Sequence, residues 1–363
     1  WPAWVAFVVP NVLGAGAMGF VLSHSHTSER FVARHKPVCM AFSVVTILFQ
    51  CYFLFWVASV IRPDTKLVLG LLAFLLLLYG MSREQGNRVL LLSGLVFMIS
   101  VITMVFFGKT LPFSFEYLRH PVFGTMAPQL RYMIPVFAFG FMFSPYLDLT
   151  FHHASQQTAS GVTKASFVLG FGVFFFLMLV FTLLYAPSVV GLFFNQTETQ
   201  EASFQLANRP ALRLLLFVHF TLQAGFTVIL HHHRLRKQVR GGLQQELVFV
   251  LIVLLAAAFC FALGRNQVLF GLSGHELIYR AFMAFYGLLA PAYIWIFVIP
   301  FRTMGMDRQV DRVTYGGAML LALPLFAWAF WAAEYRALAP GLCLVLAAPL
   351  VRGCYYRWIQ RSI

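Results

Sequence analysis

Eleven apolar blocks, most of them near the length of a bilayer-crossing helix, leave few folds open to this chain. Allowing a few residues of play at each end, they run from Trp4 to Ser23, Val38 to Ile61, Leu67 to Met81, Val89 to Phe107, Met133 to Phe151, Ala165 to Phe194, Leu212 to Leu230, Leu247 to Leu263, Leu277 to Ile299, Tyr315 to Trp331 and Ala337 to Val351. A spanning helix needs about 20 predominantly apolar residues. The Leu67 block is short, and the Ala165 block is long enough to tilt or kink, with Pro187 a reason to do so. Barrel strands are shorter and alternate every second residue, so an outer-membrane barrel is excluded. With 60% hydrophobic and 10% charged residues, the fold class is all-α: a polytopic integral membrane protein of about eleven transmembrane helices.

The formal charge of +14 invites a nucleic-acid partner, but the Lys and Arg are spread through the short connections between apolar blocks. That placement is a topology signal, and no nucleic acid is expected. Arg30, Arg34 and Lys36, then Arg83 and Arg88, Arg234 to Arg240, Arg302 to Arg312, and Arg352 to Arg361 all fall on one side. Basic connections mark the cytoplasm, giving an N-terminus out and a C-terminus in, in a plasma or inner membrane. Asp64, Glu116, Glu198, Glu201 and Glu334 lie on the other side, as does the sequon Asn195-Gln196-Thr197. The chain opens on Trp1-Pro2-Ala3-Trp4 with neither a cleavable signal pattern nor an initiator Met, which reads as processing or truncation upstream. Five cysteines show no paired spacing and are read as small packing residues.

Duplicated halves are common in membrane transporters. At an offset of 127, Leu22, Ser23, His26 and Ser28 lie over Leu149, Thr150, His153 and Ser155, and each block carries Pro then Gly, Pro10 and Gly14 against Pro135 and Gly140. This predicts a parallel four-plus-four repeat with three extra helices: four spans in residues 1–128, four in 129–265 and three in 266–363.

The strongest functional signal is Asp148 within the fifth block. A carboxylate in a spanning segment costs about 2.5–3.5 kcal/mol on insertion scales, so it faces a cavity or a partner rather than lipid. His152, four residues on, is expected on the same helical face, flanked by Tyr146 and His153. Pro145 removes a backbone donor and Gly140 loosens the same stretch, which predicts a kink or break. The alternative role for Asp148 is an interfacial anchor reaching headgroups or a neighbouring Arg.

In the first block Gly14, Gly16 and Gly19 form G-x-G-x-x-G, preceded by Asn11. A dinucleotide fingerprint would follow a strand and open a soluble helix, which this stretch does not. The pattern resembles the glycine-interrupted first helix of amino-acid and sodium-coupled transporters over about ten residues. Those families begin a five-helix inverted repeat, whereas the charges here give a different spacing, so their sites are not carried over. The first and fifth helices are nevertheless both expected to be irregular, near Gly14–Gly19 and Gly140–Pro145.

Topology gathers His24, His26, His35, His152, His153, His231, His232 and His233 on the cytoplasmic side. Imidazole is the commonest metal ligand, so His24, His26, His152 and His153 with Asp148 form the candidate metal or haem set, though no established ligand spacing is present. The triple histidine before Arg234-Leu235-Arg236-Lys237 reads more simply as a basic juxtamembrane loop attracted to anionic headgroups. His219 is a mid-span polar group and a pathway candidate. Ser273 and Glu276 have capping-box spacing, Glu276 and Arg280 form an i,i+4 pair, and Pro291 predicts a second kinked helix.

The expected function is a secondary transporter of a small solute, coupled to a cation or proton through Asp148, with a pathway that also uses His152, Tyr146, Gly14, Gly16, Asn11 and His219. Two alternatives are an intramembrane metal or haem redox enzyme using the histidines, and a non-catalytic subunit or sensor module with partner subunits. The lipid bilayer is a partner in all three.

Overall fold

The computed structural model describes residues 2–82, 87–110, 128–177, 180, 209–239, 242–266, 268–269, 271–299 and 308–362. Each of the eleven apolar blocks contains a described helix. Eight of these are long and apolar enough to cross a membrane, and three shorter ones, Val8–Val21, Ser160–Phe175 and Tyr335–Val351, belong to the first, sixth and eleventh blocks. The protein is therefore multi-spanning, and among the described residues its regular structure is helical apart from one hairpin of two-residue strands, β1 (Val268–Leu269) and β2 (Leu272–Ser273). Large apolar side chains stay exposed on the long helices, among them Leu76, Leu90 and Leu320, each more than 70% exposed. In water such surface would be unfavourable by about 25 cal/mol per Å2; in a bilayer it is the lipid-facing wall.

The chain divides into two compact units. The first comprises Leu22–Thr125 and Leu149–Ala262, and the second Pro2–Val21, Met126–Asp148 and Leu263–Ile363.

In the first unit, α2 (Ser25–Ile61), α3 (Thr65–Ser82), α4 (Asn87–Thr110), α6 (Leu149–Gln156) and α7 (Ser160–Leu169) are joined by α8 (Pro210–Gln238) and α9 (Leu243–Asn266). Helix α8 is the centre and packs against α2, α3, α4 and α6. Pro210 opens it where no backbone donor is needed. At its far end Lys36 Nζ donates to the carbonyl of Gln238 at 2.6 Å, which satisfies a terminal acceptor. Gly225 lets α8 approach α3, since a side chain there would meet Leu75. Helix α2 begins well before its apolar block and bends at His35, just ahead of Pro37.

In the second unit, α1 (Pro2–Val21) packs on α5 (Leu130–Phe143), and α10 (Gly274–Ala284) and α11 (Ala290–Tyr293) are followed by α12 (Arg308–Trp331) and α13 (Leu338–Ser362). Its core brings Val136 and Phe139 of α5 against Leu288, Ala292 and Ile296, and then Ala322, Phe326 and Ala329 of α12. The serine half of the capping box forms: Ser273 accepts from the Glu276 amide at 3.3 Å. Arg280 pairs with Glu276 and also donates to the carbonyl of Phe330, beneath the ring of Tyr335. Around Pro291 the helix widens into two π-helical stretches, Phe285–Leu289 and Ile294–Val298. A π turn absorbs an extra residue without ending the helix, so the irregularity expected at Pro291 takes that form.

Candidate functional site

Helix α5 stops at Phe143 because Pro145 has no amide to give the carbonyl of Phe141. The chain tightens into a 3-10 turn over Ser144–Leu147, closed by the Asp148 amide donating to the carbonyl of Pro145 at 3.1 Å. Asp148 itself is extended, with φ −77° and ψ 111°, and α6 starts only at Leu149. The break expected at Gly140–Pro145 is therefore present. The common helical face is not: an extended residue interrupts the register between Asp148 and His152, so i,i+4 geometry does not apply to them. Asp148 is 9% exposed, and Tyr146 is half-buried.

Two glycines fit other backbones to this break. A side chain on Gly14 of α1 would stand 2.3 Å from the carbonyl oxygen of Phe141, the acceptor that Pro145 leaves without its helical donor. A side chain on Gly140 would stand 2.9 Å from the carbonyl oxygen of Tyr286, inside the first π stretch. The same Tyr286 carbonyl accepts from the Ser144 hydroxyl at 2.7 Å, so the broken helix supplies a donor to the irregular one. The first helix does not match its expectation, since α1 is a continuous α-helix through Gly14–Gly19. Its glycines do not break it because each keeps its amide donor and costs only about 1 kcal/mol in a helix, and Gly14 serves close packing instead. Gly16 faces open space and Asn11 is half-buried.

His24, His26, His35, His152, His153 and His231–His233 lie within the first unit, and four of them meet hydroxyls from other helices. Ser28 Oγ is 2.9 Å from His152 Nδ1, and Ser43 Oγ is 3.1 Å from His231 Nδ1. The Tyr79 hydroxyl is 3.3 Å from His232 Nδ1, and Ser82 Oγ is 2.7 Å from His233 Nε2. Phe31 stacks between His35 and His152, with both ring centroids at 4.8 Å. His231, His232 and His233 are buried within α8, which corrects the reading of this stretch as a juxtamembrane loop. A helix that continues to Gln238 carries them into the packed interface with α2 and α3.

His24 and His26 stack on each other, their centroids 5.6 Å apart, and both are exposed. Among the described residues, no group of three or more His, Cys, Asp or Glu side chains could hold a metal ion. His219 is buried in α8 beside Phe220.

Sequence reasoning overlooked the hydroxyl partners Ser28, Ser43, Tyr79 and Ser82, whose pairing across helices has no local signature. It also overlooked Asp311, a carboxylate only 5% exposed in the first turn of α12. Its spacing among Arg308 and Arg312 resembled an ordinary charged connection.

Family models, characterised proteins and solved structures were all compared with the chain. None matches. The functional reading therefore rests on the geometry of this chain alone.

A second feature of the first unit is a cleft of about 960 Å3 between α3, α4, α6, α7 and the end of α8. His153, Arg234, Arg236 and Lys237 line it together with Ser and Thr hydroxyls. The His153 imidazole is pushed down to about 4, first by burial and then by the positive charges of Arg234 and Lys237.

Proposed function

We propose that this multi-spanning membrane protein is a secondary transporter of a small solute, with Asp148 as the group that exchanges a proton or holds the coupling cation. The observation that carries the reading is a buried carboxylate at the point where an apolar spanning helix breaks. Ionisable groups are costly at that depth and persist where they serve a pathway. Discontinuous helices at membrane depth offer backbone carbonyls and helix ends to ions and solutes, and such backbone is tolerated only in protein or beside water. The Ser144–Tyr286 bond joins the broken helix to a π-helical one in the same unit, which supports the reading. The enzyme alternative is less favoured, because His152 of its ligand set is engaged with the Ser28 hydroxyl.

The test is reconstitution of the full chain in proteoliposomes, with solute-induced currents recorded across a panel of small solutes under imposed Na+ or proton gradients. A gradient-dependent current is expected for at least one solute class. Asp148→Asn keeps the side-chain volume and should insert and elute like the parent, yet lose that current. A current of undiminished size in Asp148→Asn would remove the carboxylate from the mechanism and return it to an interfacial anchor.

A further inference from the structure

We propose that the cleft between α7 and the end of α8 is a binding site for a phosphate-bearing anion. Its charge is one-sided: among the described residues that line it there are three cations and no carboxylate. Arg236 is already paired with Glu246. Arg234 and Lys237 make no hydrogen bond or ion pair with a described residue, although Arg234 is partly buried. A guanidinium withdrawn from water without a counter-charge is unfavourable unless something else supplies the charge.

The remaining wall suits an oxyanion with several acceptor oxygens. Gln157 and Ser166 contribute side chains that likewise make no hydrogen bond with a described residue, while Thr158 and Thr163 bond each other at 2.6 Å and reach the carbonyls of Ala154 and Ala159 at 3.1 and 3.2 Å, so their protons are spent in ordering this turn. Helix α7 begins here. Its first intrahelical bond runs from the Thr163 amide to the Ala159 carbonyl at 2.9 Å, so the amides of residues 160–162 have no acceptor within the helix. Helix N-termini favour anions, and a guanidinium with an ammonium is the usual complement of a phosphate. Complementing the dipole at the end of α8 explains the exposed Arg236 and Lys237 but not the partly buried Arg234.

The phosphate could be free in solution or carried by a lipid headgroup, and two measurements separate the sources. The first is saturable binding of radiolabelled orthophosphate to the full chain in detergent. The second is the lipid retained by the full chain in nanodiscs of phosphatidylcholine with a minority of phosphatidic acid, read by native mass spectrometry. Arg234→Gln should weaken whichever binding is seen by about tenfold or more, the worth of one charge-assisted hydrogen bond. Lys237→Gln, at an exposed position where folding is not at risk, should weaken it in the same direction, and Arg234→Lys should restore part of it. Orthophosphate binding that the variants weaken supports a soluble ligand. Phosphatidic acid enrichment that the variants abolish, without orthophosphate binding, supports a headgroup. Absence of both, or binding indifferent to both Gln variants, overturns the proposal.

Discussion

The hydroxyl of Ser28 stands 2.9 Å from Nδ1 of His152 and 3.2 Å from the backbone carbonyl of the same residue, across 124 positions of sequence. The carbonyl can accept from Ser28, and the direction of the shorter Ser28–Nδ1 contact follows the tautomer of His152, the Ser28 oxygen accepting when Nδ1 carries the imidazole proton. Gln156 Nε2 donates to the same oxygen at 3.2 Å, which saturates the hydroxyl. The contact holds the start of α2 to α6.

Ser28→Ala should therefore leave the buried His152 imidazole and the Gln156 amide without their shared hydroxyl partner and cost about 1–3 kcal/mol of stability. Ser155→Ala should change little, because the Ser155 hydroxyl only bonds back to the Phe151 carbonyl of its own helix. Thermal unfolding of both variants in one detergent makes the comparison, and equal midpoints would show that the Ser28 network contributes nothing.

Gly14 and Gly16 sit two residues apart in one helix and should respond in opposite directions. Gly14→Ala places a methyl group against the Phe141 carbonyl and the Met142 backbone, so α1 and α5 must separate, at a cost of about 1–3 kcal/mol or more. Gly16→Ala meets nothing within 4 Å and should stabilise by about 0.5–1 kcal/mol through helix propensity. Unfolding midpoints and the monodispersity of the purified variants check this, and a tolerated Gly14→Ala would contradict the close approach.

His153 gives stability a pH dependence of definite sign. Its folded value of about 4 lies below its ordinary 6.5, so the unfolded chain binds the proton more readily. The contribution is complete above about 6.5 and is lost as pH falls from there towards 4. His153→Gln should flatten the unfolding midpoint across that window. A slope that survives the substitution would assign it to other groups.

An orientation with the basic connections in the cytoplasm makes a labelling prediction for each end of the first unit. Lys66, exposed at the start of α3, should accept an impermeant thiol reagent from outside intact cells once changed to Cys in a background without native cysteines. Glu29, exposed near the start of α2, should not react when changed likewise. The reverse pattern would invert the orientation.

Local chemistry was legible in the sequence wherever one residue suffices to decide it. Pro145 weakens a helix because its nitrogen has no proton, and α5 stops there, whereas Pro10 is carried inside α1 without a break. Ser273 and Glu276 announce a helix start by their spacing, and Pro291 announces an irregular one. Asp148 stood out because a carboxylate in an apolar block is expensive wherever that block lies. The pairing of Asp148 with His152 on one helical face was not legible, because it assumed an unbroken register through the residue at which the helix stops.

By itself the sequence determined that the chain is a multi-spanning helical membrane protein, since only a bilayer accommodates so many apolar segments of that length and backbone hydrogen bonding then requires helices. It also determined where those helices are weakest. Only the tertiary structure decided which polar groups meet: His231–His233 lie within a packed helix, each against a hydroxyl from α2 or α3, and Arg234 borders a cleft assembled from α3, α4, α6, α7 and α8. Side chains more than a hundred residues apart are brought together by helix packing, which depends on the shapes of whole faces. No short stretch of residues encodes that.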